Sequence, residues 1–298
     1  MNRRRKQFGF SLTEMLIATG IMAIGLVMVA TIFPVGVKLT TLTTERTVGA
    51  VVADEAFAKI QLYGLRDFGT LAAPNWPGTD PNTECSDFQY VVDIDYNGDT
   101  FVNSADVLPS GWDDFLYPST TLPAGQRHNY HWSALCRRVG AKNVQVTVFV
   151  TRKIAAASLY RAWDPLNSPP PILNSDWPKP IPVNVDYFAA QPKELIIKDN
   201  PAFPASDSAY FFDDGYTIVD NLTGKIYRVL EVKDNIADPQ HAPDTLVLMG
   251  DWEWDGYPVL PAIDEVDRTI WVVPPATGSS RYPCVGVYQK VIRFDGIQ

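Results

Sequence analysis

From Met15 to Phe33 the chain runs 19 residues without a charge. At about 1.5 Å per residue, a helix of that length nearly crosses a hydrocarbon core of roughly 30 Å. Beyond it, Leu39, Leu42, Val48, Val51, Val52, Ala56, Lys59 and Ile60 fall largely at three- and four-residue spacings. That spacing continues the helix with one packed face. Pro34 and Gly36 predict a kink or a local loosening. Thr40 to Thr47 is a weaker helix former, so its order depends on packing against a head or against neighbours. Gly64 supplies a stop. The pattern is a helix of about 50 residues with a free apolar half and a half laid on a globular domain.

After Gly64 the helical period is lost, and Pro, Asn, Asp and aromatics dominate to about Ala141. This segment, 65–141, reads as a loop-rich insertion. The stretch "NVQVTVFVTRK", Asn143 to Lys153, alternates Val144, Val146, Val148 and Val150 with other side chains, as a half-buried strand does. A run of prolines from Pro165 to Pro182 argues against regular structure over 161–183, leaving a crossing between sheets or a surface loop. Further strands are expected at Glu194–Lys198, Gly215–Val219, Lys225–Val232, Thr245–Met249, Thr269–Val273 and Val285–Phe294. "DNLTGK", Asp220 to Lys225, has the turn chemistry to join two of them as a hairpin.

Charge narrows the class. The chain carries a net −9, and without Arg3, Arg4, Arg5 and Lys6 it has 21 basic against 34 acidic residues. Such a surface repels phosphate backbones, so nucleic acid is not an expected partner. Cys85, Cys136 and Cys284 lack the short paired spacing of a zinc site or a redox motif. They allow one disulfide with one free thiol, or three buried thiols. The basic cluster Arg3–Lys6 lies wholly ahead of the apolar run, which places the N-terminus in the cytoplasm and everything after Lys38 across an inner membrane, in the periplasm or outside the cell. An ordinary signal peptide would put its small cleavage residue after a shorter apolar core, whereas Gly9 precedes this one.

Glu14, near the start of the apolar run, is the residue this layout must explain. A carboxylate inside a spanning helix costs on the order of 2.5–3.5 kcal/mol on insertion scales, so it wants a cation or water. Cutting after Gly9 would create an amine on Phe10, four residues away, able to meet the Glu14 of a neighbouring copy. The other reading keeps Glu14 wet among the headgroups.

The basic leader followed by Gly9, Phe10, Ser11, Leu12, Thr13, Glu14, Met15, Leu16, Ile17 and Ala18 resembles the processing and methylation signal of type IV pilins and of type II secretion pseudopilins. The resemblance covers roughly the first 55 residues. It implies a prepilin peptidase that cuts after Gly9 and methylates Phe10, docking into a helical filament guided by Glu14, and contacts with other subunits and an inner-membrane assembly platform. The fold it implies is α+β: a leader (1–9), a long N-terminal helix whose first half is transmembrane (10–64), and a mostly antiparallel β head with long loops (65–298). A head of 234 residues exceeds what a compact major subunit needs and favours a minor subunit.

A second motif, "DYNGDTFVNSAD", offers oxygens at the alternate positions of an EF-hand loop: Asp95, Asn97, Asp99, Phe101 through its carbonyl, Asn103 and Asp106. It resembles the calcium loops of dockerin modules. Thr100 stands where that loop has glycine, and Pro109 shortens the exit helix. The competing reading is a solvated Asp/Asn turn.

Catalytic constellations are thin. His128 and His131 lie three apart without a nearby Glu or Cys, which describes a polar surface turn better than a metal site. Asp113–Asp114 and Asp213–Asp214 are adjacent acids of the kind that mark turns, and Trp252 and Trp254 fit a packed strand better than a carbohydrate edge. Two functions stand: a filament subunit, not an enzyme, that works by assembly, or a membrane-tethered periplasmic enzyme or ligand-binding module on a pilin-type anchor. A deep polar cleft with perturbed acids would favour the second.

Overall fold

The computed structural model describes residues 11–63, 89–90, 116–118, 128–139, 143–155, 157–163, 172–175, 177–188, 191–198, 211–233, 245–252, 265–277 and 281–293. Its fold is the expected one, a long apolar N-terminal helix followed by mostly antiparallel sheets. The chain divides into two compact units, 1–48 and 49–298.

Helix α1 spans Leu12–Tyr63, 52 residues, and runs through Pro34 without ending. It is long and apolar enough to cross a membrane. Ser11 starts it: the Glu14 N–H donates to Ser11 Oγ at 3.2 Å and the Met15 N–H to Ser11 O at 3.2 Å. Within the first unit every side chain from Leu12 to Thr44 is exposed, Leu12, Ile32 and Phe33 included.

In the second unit the same helix, from Gly49 on, changes character. Val52, Ala53, Ala56, Phe57 and Ile60 are buried, while Ala50, Asp54 and Ala58 stay in solvent. The buried positions recur at one, three and four residues, which is the stripe a helix lays on a sheet.

That sheet consists of β1 (Gln89–Tyr90), β2 (Leu116–Tyr117), β3 (Tyr130–Arg138), β4 (Asn143–Arg152) and β13 (Cys284–Arg293). Its order is β1-β3-β4-β13, with β2 also on β3, and the β1–β3, β2–β3, β3–β4 and β4–β13 pairings are all antiparallel. The register places Val144, Val146, Val148 and Val150 of β4 on one face with Tyr288 and Lys290 of β13. This face meets the helix: a Cβ added at Gly49 would lie 2.8 Å from the Tyr288 hydroxyl, and Lys290 Nζ sits 5.8 Å from the Phe57 ring centroid. The opposite face presents Leu135, Phe149 and Val287, which pack with Val219, Trp271 and Val273 of the following domain.

That domain is a closed barrel of six strands: β7 (Ile181–Phe188), β8 (Glu194–Ile197), β9 (Thr217–Asp220), β10 (Ile226–Lys233), β11 (Thr245–Leu248) and β12 (Glu265–Val272), in the order β10-β11-β8-β7-β12-β9. Closure leaves no strand edge unpaired around the ring. Val183, Val185, Leu195, Ile218, Leu246, Ile270 and Trp252 fill its core, with Trp252 stacked on Tyr227 at 4.6 Å. A small hairpin, β5 (Tyr160–Trp163) with β6 (Ile172–Ser175), forms a separate two-stranded sheet, tied to the segment after β12 by a bridge between Tyr160 and Ala276.

Several strands were not expected. Within the loop-rich span 65–141, β3 supplies nine strand residues between Tyr130 and Arg138. Strand β3 is buried on both faces, so its mixture of His131, Trp132, Ser133 and Cys136 shows no in-and-out alternation. The proline-rich span 161–183 is likewise not free of regular structure, because β5 and β6 lie within or beside it and β7 begins inside it. Pro182 is tolerated because β7 pairs there with β12 alone, Trp271 lying opposite, and joins β8 only from Val185 to Tyr187. The hairpin at Asp220–Lys225 is present as expected, with Ile226 opposite Val219.

Candidate functional site

The N-terminal segment is the site with the clearest chemistry. Gly9 and Phe10 lie outside the described residues, and Glu14 sits in the first turn of α1, exposed. Sequence reading overlooked a local role for its neighbourhood. Ser11 is the N-cap and Glu14 stands three residues on, the spacing of a capping box, which Ser-x-x-Glu would have announced. A carboxylate in the first turn also faces the positive end of the helix dipole. Glu14 therefore favours helix initiation at Ser11 as well as presenting a charge to whatever approaches.

The residues expected to form the calcium loop, Asp95, Asn97, Asp99, Phe101, Asn103 and Asp106, all lie outside the described residues, as do Cys85, Asp113, Asp114 and Trp254. Among the described residues no group of three His, Cys, Asp or Glu side chains is placed to hold a metal.

His131 is not in a surface turn. It lies in β3 with 1% exposure, stacked on Trp177 at 5.6 Å, and Lys153 Nζ sits 5.2 Å from the centroid of the same Trp177 ring. Burial, with Lys179 nearby, drives the imidazole pKa from 6.5 down to about 3. Folding therefore holds His131 neutral, whereas the unfolded chain protonates it below pH 6.5. The sign follows: stability present at pH 7 is lost as pH falls from about 6.5 towards 3. Between pH 7 and 5 this one group should remove about 2 kcal/mol. A His131→Gln variant should lose less of its melting temperature over that interval than the parent; equal losses would show that other groups set the acid sensitivity.

Cys136 is buried in β3, and Cys284 is half-buried at the start of β13. Cys284 donates to the Gly286 carbonyl at 3.6 Å, and burial pushes its pKa up to about 12, the opposite of a reactive cysteine. The adjacent acids Asp213 and Asp214 are exposed and organise a turn, with Asp214 N–H bonded to Asp213 Oδ1 at 2.8 Å and Val232 N–H to Asp214 Oδ1 at 3.1 Å. Trp252 is 4% exposed and belongs to the barrel core.

The most organised polar cluster joins barrel to sheet. Asp220, 1% exposed, accepts from the Leu222 and Thr223 N–H groups at 3.2 and 3.0 Å and shapes the β9–β10 turn, in which Gly224 adopts φ +70°. The carbonyls of Leu222 and Thr223 accept from the Arg137 guanidinium, and that of Gly224 from the Gln289 side-chain amide. Gln145 Oε1 accepts from Arg137 Nε at 2.6 Å and completes the fork. Arg137 and Gln289 spend these bonds on main-chain carbonyls, Gln145 and Thr147, which makes the cluster a joint.

Compared with known proteins, residues 4–30 match the prokaryotic N-terminal methylation motif. No curated protein and no solved structure matches the chain. The match covers most of the basic leader and most of the apolar run, and it supports a place for this chain in the type IV pilin-like family, whose motif implies cleavage by a prepilin peptidase and assembly with other pilin subunits.

Proposed function

We propose that this chain is a minor subunit of a type II secretion pseudopilus or of a type IV pilus-like filament, acting by assembly and not by catalysis. The observation that carries the reading is the methylation motif at the head of a 52-residue helix whose first 33 described residues bury nothing. An apolar surface of that length has two ways to leave water, a bilayer and the equivalent helices of neighbouring copies. The proposal divides the chain into a leader (1–9), the helix (10–64) and a periplasmic head (65–298), with cleavage after Gly9, methylation of Phe10, an inner-membrane assembly platform and Glu14 meeting the Phe10 amine of a neighbour. The test is mass spectrometry of the N-terminus of the mature protein from its membranes. Methylated Phe10 is expected, and an intact leader in cells that contain the peptidase would remove the reading.

The head is also proposed to bind calcium at Asp95–Asp106. Three carboxylates, Asp95, Asp99 and Asp106, converging without a cation would repel one another. A site filled only in the folded state adds about 2.7 kcal/mol when calcium is a hundredfold above its dissociation constant. Millimolar calcium should therefore raise the melting temperature of the parent over a chelator control and leave Asp95→Ala and Asp99→Ala unmoved. Identical parent midpoints in the two buffers would reduce the loop to a polar turn.

A further inference from the structure

Strand β13 forms one side of the five-stranded sheet. The opposite side is blunted, because β1 covers β3 at Leu135 and Cys136 and β2 covers it at Tyr130 and His131. Among the described strands β13 pairs with β4 alone, over Cys284–Arg293. In antiparallel sheets, successive residues turn their main-chain groups to opposite neighbours. The Val139 N–H donates to the Asn143 carbonyl at 2.9 Å, which commits the odd-numbered residues of β4 to β3. The Arg152 N–H donates to the Pro283 carbonyl at 2.8 Å, which commits the even-numbered ones to β13. Opposite those even positions stand Gly286, Tyr288, Lys290 and Ile292. The main-chain groups of Gln289 and Val291 therefore point out of the sheet edge. Both residues are exposed, Val291 by 58%.

A bulge or an edge lysine ordinarily guards such a strand. Here the bulge lies between Cys284 and Gly286, ahead of the outward groups, and Lys290 is drawn over the Phe57 ring on the helix side. Charge states what the edge would accept. Strands β3, β4 and β13 carry Arg137, Arg138, Arg152, Lys290 and Arg293 and no acidic residue, whereas 181–273 holds 17 acidic residues against 6 basic. A second β13 laid alongside would bring up another basic sheet. The barrel is acidic but closed, so a second copy has no barrel strand to lend.

We infer that the outer edge of β13 is a docking site for an extended, acidic segment of another polypeptide, added to the sheet as a further strand. The inference stands on the sheet and not on the filament reading. The test is amide exchange, read residue by residue, of the full-length protein purified in lipid nanodiscs and of the same protein in its native membranes. In the purified protein Gln289 and Val291 should exchange fast and Tyr288, Lys290 and Ile292 slowly. In native membranes Gln289 and Val291 should slow by on the order of tenfold or more. Salt at about 1 M, or Lys290→Gln with Arg293→Gln, should reverse that protection. Val291→Pro removes only an outward N–H, so it should melt like the parent and leave Gln289 fast in membranes, whereas Ile292→Pro breaks the ladder to β4 and should melt well below both. Fast exchange at Gln289 and Val291 in native membranes overturns the docking site. Protection already present in the purified protein gives the edge to a second copy and overturns the foreign partner. Protection indifferent to salt and to the glutamine variant overturns its acidity, and a Val291→Pro protein as unstable as Ile292→Pro overturns the outward geometry.

Discussion

Replacing Gly9 with a bulky residue such as leucine is expected to leave the basic leader on the protein, so that the full-length mass accumulates in the membrane and no Phe10 N-terminus is found. The expected loss of processing is near complete, because the residue at the proposed cut must be small and Gly9, inside the matched span 4–30, is the small residue there. The contrast that gives the experiment its force is Glu14→Ala. Glu14 lies in the first helical turn beyond the proposed cut, so this variant should be cleaved normally yet fail to enter filaments. Losing the carboxylate relieves the cost of placing it in hydrocarbon, so insertion should not suffer. A Gly9→Leu chain processed like the parent would detach the motif from its proposed role. A Glu14→Ala chain that assembles normally would leave only the capping and dipole contribution for that side chain.

The second large effect is expected in the barrel. Trp252 is buried between Tyr227, stacked at 4.6 Å, and Tyr187, tilted at 6.4 Å, and its N–H group donates to the Pro192 carbonyl at 2.7 Å through the main chain. Trp252→Ala empties the largest side chain in that layer. Aromatic truncations of this kind cost about 3–5 kcal/mol, enough to melt a marginally stable domain. Trp252→Phe keeps most of the volume and should cost much less. Denaturant unfolding of the detergent-solubilised protein compares them, and a Trp252→Ala protein as stable as the parent would move Trp252 from packing to an exposed role.

How far the chain could be read in advance follows from the physics of each element. The helix was legible because an uncharged run and a three-to-four spacing are local signals, and β4, β8, β10 and β11 were legible because alternation is local too. Strand β3 was not, since a strand covered on both faces carries no alternation, and its identity depends on β4 across nine paired positions. Strand β7 was hidden behind Pro182, which is harmless only because the partner on one side is absent at that point. Of the site, Gly9, Phe10 and Glu14 came from a contiguous motif and needed no tertiary knowledge. The buried setting of His131 did need it, because the Trp177 that covers it arrives from 46 residues away. The Ser11 cap is local as well, since Ser11 and Glu14 stand three residues apart, the spacing that lets the Glu14 N–H reach the Ser11 hydroxyl.

The turn at Asp220–Lys225 meets the sheet through oxygens that every amino acid possesses. Arg137 and Gln289 grip the carbonyls of Leu222, Thr223 and Gly224, so what they recognise is a backbone path and not a set of side chains. Mutational scanning of that turn should therefore divide sharply. Asp220 and Gly224, which draw the path, will tolerate little, whereas the side chain of Leu222 is free to vary and offers a place to attach a label, while a single inserted residue would shift all three carbonyls and undock the barrel.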